Sequence, residues 1–182
     1  GNHCIRVDSL TDGRVMASLG ALLLPGEVRL APGETYASPE IVAAYSGQGL
    51  SKLSRKFHDH VRTKLLRPAM RSKPRPVHYN TWEAVYFDHD VEKLKELATR
   101  AAEIGVERFV LDDGWFGGRR HDRAGLGDWT VSRDVYPDGL GPLVDHVTGL
   151  GMEFGLWFEP EMVNPDRDLY RAHPDWVFGL EG

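Results

Sequence analysis

Cysteine is almost absent from the 182 residues. Cys4 stands alone, so no internal disulfide and no thiolate metal cluster can form, which fits a reducing compartment and an expected cytoplasmic location. Basic residues are outnumbered: 22 Lys and Arg face 27 Asp and Glu, a formal charge of −5. A surface of that sign argues against a nucleic-acid partner, which needs a basic face to neutralise phosphates. No apolar run approaches the roughly 20 residues of a membrane-spanning helix; the longest, around Leu19–Pro25, is far too short, so no membrane partner is expected. The opening Gly1-Asn2-His3-Cys4-Ile5-Arg6 has no basic stretch followed by an apolar core and is not read as a signal peptide. There is no initiator Met, and the chain is expected to be an internal piece of a longer protein. Pro and Gly are scattered rather than clustered, leaving no low-complexity linker. What remains is the balance of a folded globular protein, 41% hydrophobic and 27% charged, long enough for one ordinary domain or two small ones.

Residues 1–50 read as short strands broken by turns at Asp12-Gly13 and Pro25-Gly26, with Val28, Leu30, Tyr36 and Ile41-Val42 in partly alternating runs. This stretch is expected to be the C-terminal part of a β domain. Residues 51–75 are expected to be a helical linker. Leu53, Phe57, His60-Val61 and Leu65 recur at helical spacing, and Pro68 suits the end of that helix. From Pro76 the pattern alternates. A strand over Val77–Trp82 precedes a helix capped by Asp90, with an apolar face of Val91, Leu94, Leu97, Ala98, Ala101 and Ile104 and a stop at Gly105. Arg108–Asp113 is a second strand, Pro142–Leu150 a second helix, Met152–Phe158 a third strand, and Asp166–His173 the start of a third helix. Repeated βα units with continuous apolar strands imply a parallel α/β sheet.

Polar and aromatic residues gather where each strand ends: Asn80 and Trp82, Asp112 and Asp113, Trp157 and Glu159. Barrel enzymes place their sites at that face, and no glycine-rich turn follows the first strand as a dinucleotide-binding sheet requires. The expected fold is therefore the N-terminal half of a (β/α)8 barrel over residues 76–182, preceded by the end of a β domain. Three units are well under half of the roughly 250 residues of a full barrel.

Asp112-Asp113-Gly114-Trp115 carries the most chemistry. Adjacent carboxylates repel and resist burial, so a polar ligand, a cation or backbone N–H donors must compensate. Sugar hydroxyls would serve; so would a role as turn residues capping the loop. Trp82, Trp115 and Trp157 at one face suggest a platform for the C–H face of a pyranose, with core packing as the plainer alternative for any one of them. Trp129 and Trp176 are read as packing residues. Glu159 and Glu161 are first of all salt-bridge partners, with general acid or metal ligand as further options. Asp88-His89-Asp90 packs three potential ligands together, but helix capping explains it more simply, and neither metal nor cofactor is expected.

The runs Asn80-Thr81-Trp82-Glu83-Ala84, Phe109–Gly117, Leu126-Gly127-Asp128-Trp129, Phe154–Val163 and His173-Pro174-Asp175-Trp176 together resemble glycoside hydrolase family 36 α-galactosidases, the melibiases. Upstream, Gly1-Asn2-His3 and Leu30–Glu34 are similar to the end of that family's N-terminal β-sandwich. The resemblance covers essentially the whole chain. It implies a retaining hydrolase of terminal α-galactose on melibiose- or raffinose-type oligosaccharides. It implies that Asp112 and Asp113 accept hydrogen bonds from the galactose 4- and 6-hydroxyls, and that Trp82 and Trp157 line the same pocket. The family's nucleophile lies in a Lys-Trp-Asp motif that does not occur here, and its acid/base aspartate is also missing, so no catalytic residue is expected among these residues. Two positions depart from the family pattern. His89 stands where an aromatic or Asn is more usual, and Asn164 precedes Pro165 where Ser is common. The resemblance allows a homo-oligomer for the intact protein. Raffinose or stachyose synthases and α-N-acetylgalactosaminidases share much of this barrel. A metal-dependent barrel lyase or isomerase using Asp112, Asp113 and Glu159, or a non-catalytic sugar-binding remnant, are the readings from other classes. An open barrel exposes strand edges and interior; the isolated chain is expected to be unstable or aggregated, and a sharp, cooperative thermal transition would contradict that.

Overall fold

The computed structural model describes residues 3–178; Gly1 and Asn2 of the upstream motif, and residues 179–182 of the expected barrel segment, lie outside them. The chain forms two compact units, Gly1–Lys73 and Pro74–Gly182.

In the first unit, β1 (His3–Ser9) and β2 (Val15–Ala21) pair antiparallel, His3 opposite Ala21 and Ser9 opposite Val15. Asp12-Gly13 makes the turn as expected. Gly13 takes φ +84°, the Asp12 carboxylate accepts from the Arg14 amide at 3.1 Å, and the Leu10 and Arg14 backbones close the loop. The period-2 pattern gives the hairpin one apolar face, Ile5 opposite Leu19 and Val7 opposite Ala17. Helix α1 (Leu50–His60) runs on into a π turn over Val61–Leu65, and α2 (Pro68–Arg71) starts at Pro68. The expected strands around Val28, Leu30, Tyr36 and Ile41-Val42 do not form. Residues 22–46 are turns and irregular backbone. Pro25, Pro32 and Pro39 each remove an N–H that a ladder would need, and Pro25-Gly26 and Pro32-Gly33 turn the chain instead.

The second unit is built on three parallel strands in the order β3 (His78–Asn80), β4 (Arg108–Leu111), β5 (Glu153–Leu156), with His78, Arg108 and Glu153 in one row and Asn80, Val110 and Gly155 in another. After β3, a single turn α3 (Trp82–Val85) precedes α4 (Val91–Glu103); α5 (Gly141–Gly149) precedes β5; α6 (Asp168–Ala172) follows it. Helix α4 forms as the spacing predicts. The Asp90 carboxylate accepts from the Lys93 amide at 2.8 Å, Glu96 pairs with Arg100 across one turn, and Leu94, Ala98 and Ala101 are buried on one face. Gly105, at φ +88°, lets the chain leave the helix, while Ile104 ends up outside the apolar face, 82% exposed. In β4 the alternation sends Phe109 and Leu111 into the core with Leu94, Leu143 and Val147, all five completely or almost completely buried. On the other face of the sheet Gly155 meets Val110, whose methyl would lie 3.1 Å from a Cβ placed there.

The ranking of two substitutions tests this account in the full-length protein. Leu94→Ala, which empties a fully buried site, should cost about 2–5 kcal/mol, and Asp90→Ala, which removes only the cap, about 1 kcal/mol. Urea midpoints that reversed the order would place the stability of α4 in its cap rather than its packing.

Candidate functional site

The three strands stop at one level, and the segments that leave their C-terminal ends enclose a cavity of about 600 Å3. From β3, α3 and the turn that follows come Asn80, Trp82, Glu83 and Phe87; from the loop after β4, Asp112, Asp113, Arg119 and Asp122; from the segment after β5, Trp157 and Glu159. All four residues expected to bind substrate therefore line one cavity.

Two neutral donors and a cation hold the adjacent carboxylates. Asp112, 7% exposed, accepts from the Asn80 side-chain amide at 2.5 Å and from the Asp113 backbone N–H at 2.8 Å. Its own amide donates to the buried Thr81 hydroxyl at 3.0 Å, which ties the end of β3 to the end of β4. Asp113, 4% exposed, lies against Arg119, also 4% exposed. Nε donates to both carboxylate oxygens at 2.9 and 3.0 Å, and an Nη donates to Oδ2 at 2.7 Å. A carboxylate offers about four lone-pair sites, so these contacts leave each aspartate acceptor capacity for a ligand. Arg119 was not singled out from the sequence. It sits in the run Gly117-Gly118-Arg119-Arg120-His121-Asp122-Arg123, where three arginines compete for the role. The available signal was the demand for compensation by two buried aspartates with an arginine six residues on. Glu159 is a salt-bridge partner as expected, though a loose one, 3.9 Å from Arg119.

The tryptophans divide. Trp82 is held by an edge contact to Phe87 and by its amide, which donates to the Asn80 side-chain oxygen at 2.8 Å. Trp157 is partly exposed and meets Trp129 edge to face. Trp115 does not join the platform. It is 2% exposed, packs on Phe116, Trp129 and Phe158, and donates its indole N–H to the Trp157 carbonyl at 2.9 Å. Its position just past the strand sends it into the core, where it supports Trp157 from behind. Trp129 packs in the same cluster, as expected.

The loops after β4 and β5 are joined away from the cavity. Asn164 accepts from the Leu126 amide at 2.8 Å, and Asp128 accepts from the amides of Asp168 and Leu169 at 3.0 and 3.1 Å, capping α6. Gly127, at φ +115°, passes so close to Val163 that a Cβ would stand 2.8 Å from its methyl. Beneath the aspartates, the His89 ring lies against Gly114, and its Nδ1 is 2.7 Å from the Tyr136 hydroxyl. Both departures from the family pattern, His89 and Asn164, thus have structural partners and neither lines the cavity. Burial above all, helped by the Arg120 charge, holds the His89 pKa below its ordinary range, outweighing the Tyr86 carbonyl and the carbonyl and charge of Asp113. Burial also pushes the Tyr136 phenol far up, so this pair stays neutral. Among the described residues, no cluster of three or more His, Cys, Asp or Glu side chains is arranged to hold a metal ion, and no helix is long and apolar enough to cross a membrane.

Residues 35–182 match the family model for melibiase. Over its whole length the chain is 49% identical to an α-galactosidase of Escherichia coli, of which it covers 26%, and 41% identical to an α-galactosidase of Lactobacillus acidophilus, of which it covers 25%. The crystal structure of a variant of the α-galactosidase AgaA of Geobacillus stearothermophilus in complex with raffinose superposes with a TM-score of 0.88 at 45% identity, over 98% of this chain and 25% of that one. The α-galactosidase AgaB of the same organism gives 0.87 at 45% identity, over 100% and 25%. The chain spans about a quarter of the length of the curated relatives it matches. The fold is theirs: the end of a β-sandwich domain, then the opening βα units of a (β/α)8 barrel.

The buried imidazole carries a pH signature. With its folded pKa below about 6.5, the unfolded value, His89 takes up a proton on unfolding anywhere between the two. Stability should therefore rise with pH through that window and level off above it. Urea midpoints of the full-length protein followed from pH 5 to 7.5 should climb more steeply than those of a His89→Gln variant; parallel curves would mean that folding leaves the pKa of the ring unchanged.

Proposed function

The chain belongs to the melibiase family, and from that membership we propose that the full-length protein is a retaining α-galactosidase. It removes terminal α-D-galactosyl residues from oligosaccharides such as melibiose and raffinose, and this chain supplies part of the galactose pocket. The observation that carries the reading is the convergence of Trp82, Asp112, Asp113 and Trp157 on one cavity, with both carboxylates buried, oriented and still able to accept hydrogen bonds. The raffinose complex of the AgaA variant supports the choice of substrate. A cytoplasmic setting belongs to the same reading, supported by a single, exposed cysteine.

Asp112 and Asp113 receive the 4- and 6-hydroxyls, and the indoles of Trp82 and Trp157 face the apolar C–H surface of the ring. Galactose differs from glucose at the axial 4-hydroxyl. The wrong epimer leaves a desolvated carboxylate without its donor, at a cost of about 1–3 kcal/mol. These aspartates bind rather than attack. Retaining hydrolysis needs two carboxyls about 5 Å apart across the scissile bond, one of them free to form a glycosyl ester. Asp113 is committed to a bidentate ion pair with a buried arginine, and Asp112 is pinned between Asn80 and the backbone. The catalytic pair is therefore not assigned to them.

The ion pair also decides which variant tests the site. Asp113→Ala would strand the Arg119 charge, a loss of about 3–5 kcal/mol in a buried pair. Asp112→Ala leaves only neutral donors at the rim of an open cavity. In the full-length protein, Asp112→Ala should weaken galactose binding by about tenfold or more, one charge-assisted hydrogen bond, while the far-ultraviolet circular dichroism is kept. Unchanged galactose affinity, measured by calorimetry, would remove Asp112 from the sugar site.

A further inference from the structure

The environment of Arg119 is more elaborate than the neutralisation of one aspartate requires. The guanidinium is almost wholly buried, yet it lines the cavity. One edge is taken by Asp113, as described. Nη1 donates to the Ala124 carbonyl at 3.0 Å, Nη2 lies 3.9 Å from Glu159, and the Phe87 ring centroid is 5.5 Å from Cζ. Partners thus come from all three segments that build the cavity: Phe87 after β3, Asp113 in the loop after β4, and Glu159 after β5. The returning loop also closes tightly on the Arg119 main chain. Gly125, at φ +91°, crosses directly over Arg119, where a Cβ would stand 2.8 Å from the Arg119 nitrogen and 2.9 Å from its Cα and Cβ. Any larger residue would push the loop off the arginine.

We infer that Arg119 is the positioning residue of the galactose site, holding Asp113 in register with Asp112 and Glu159 across the three strand ends. The inference rests on the reading of the cavity as a galactose pocket. A guanidinium is a rigid planar fork. Lying along one edge of the carboxylate, it fixes the rotation of Asp113 and therefore the direction of its remaining lone pairs. A lysine in the same place would supply the charge as a point and leave the carboxylate free to turn. Charge and direction are thus separable, and direction is what tells an axial hydroxyl from an equatorial one. Asp112, set by neutral donors alone, needs no such partner, and the two carboxylates present a fixed pair of acceptors only when Asp113 is clamped.

The test compares Arg119→Lys and Gly125→Ala with the wild type in the full-length protein, using p-nitrophenyl α-galactoside and its glucoside epimer. Gly125→Ala displaces the loop from Arg119 without altering any side chain that Arg119 touches, so it carries the test if Arg119→Lys fails to fold. Both variants should raise KM for the galactoside about tenfold or more, change kcat much less, and narrow the preference for galactoside over glucoside. A purely structural role would lower the unfolding midpoint and leave KM and epimer preference where they were; that result in the folded variants overturns the inference. A wild-type protein that does not cleave the galactoside overturns the reading of the cavity itself, and with it the role given to Arg119.

Discussion

Burial of two neighbouring carboxylates is the constraint around which the second unit is arranged. An ion taken out of water costs several kcal/mol unless it is paired and fully hydrogen-bonded, and Asp112 and Asp113 are both at least nine-tenths buried. The chain solves the problem twice, in different ways. For Asp112 it uses neutral donors at the ends of β3 and β4, where strand pairing has already brought Asn80 and Thr81 within reach. For Asp113 it uses a full counter-charge, and that requires a loop which leaves β4, doubles back and returns an arginine to the strand end. The positive φ at Gly114 and the tight crossing of Gly125 are the local geometry of that return. The cavity is the space left when the return is complete.

Much of this was legible in the sequence where local rules decide. The Asp90 cap, the 3–4 spacing of Leu94, Ala98 and Ala101, and the Asp12-Gly13 turn involve neighbours in the chain and came out as read. So did the gathering of Asn80, Trp82, Asp112, Asp113, Trp157 and Glu159 at one end of the sheet, because a parallel βα repeat fixes that end by topology alone. What was not legible depends on the path of the long loop. Arg119, Arg120 and Arg123 are equivalent by composition, and only the fold shows that Arg119 enters the core while Arg123 stays exposed. Trp115 and Trp157 both follow a strand end by a few residues. Their fates differ because one belongs to the returning loop and turns inward while the other remains at the cavity. In residues 22–46 the scattered apolar residues suggested strands, but recurring prolines withhold the donors that a ladder needs, and propensity alone could not override that.

The site described here is one side of a pocket. It gathers acceptors and aromatic surface on rigid supports; on the function proposed above it recognises the sugar, and bond cleavage falls to carboxylates elsewhere. That separation has a physical logic. A group that is to bind a hydroxyl works best held still, and Asp113 is held still by its arginine. A nucleophile must keep a lone pair uncommitted and an approach open. An aspartate with both oxygens engaged by a buried guanidinium meets the first requirement and fails the second.

The joining of the loops after β4 and β5 bears on how such a pocket can diversify. Barrel enzymes are often described as a constant frame carrying exchangeable loops. Here two of those loops are not separately exchangeable. Leu126 and Asn164, Asp128 and the start of α6, and Gly127 and Val163 lock them together through residues that do not line the cavity. A graft of one segment alone would leave an open helix end and unmatched backbone groups in its neighbour. The two segments form a single heritable cassette, and new specificities on this frame would arise by changing side chains at its inner surface or by replacing both segments at once.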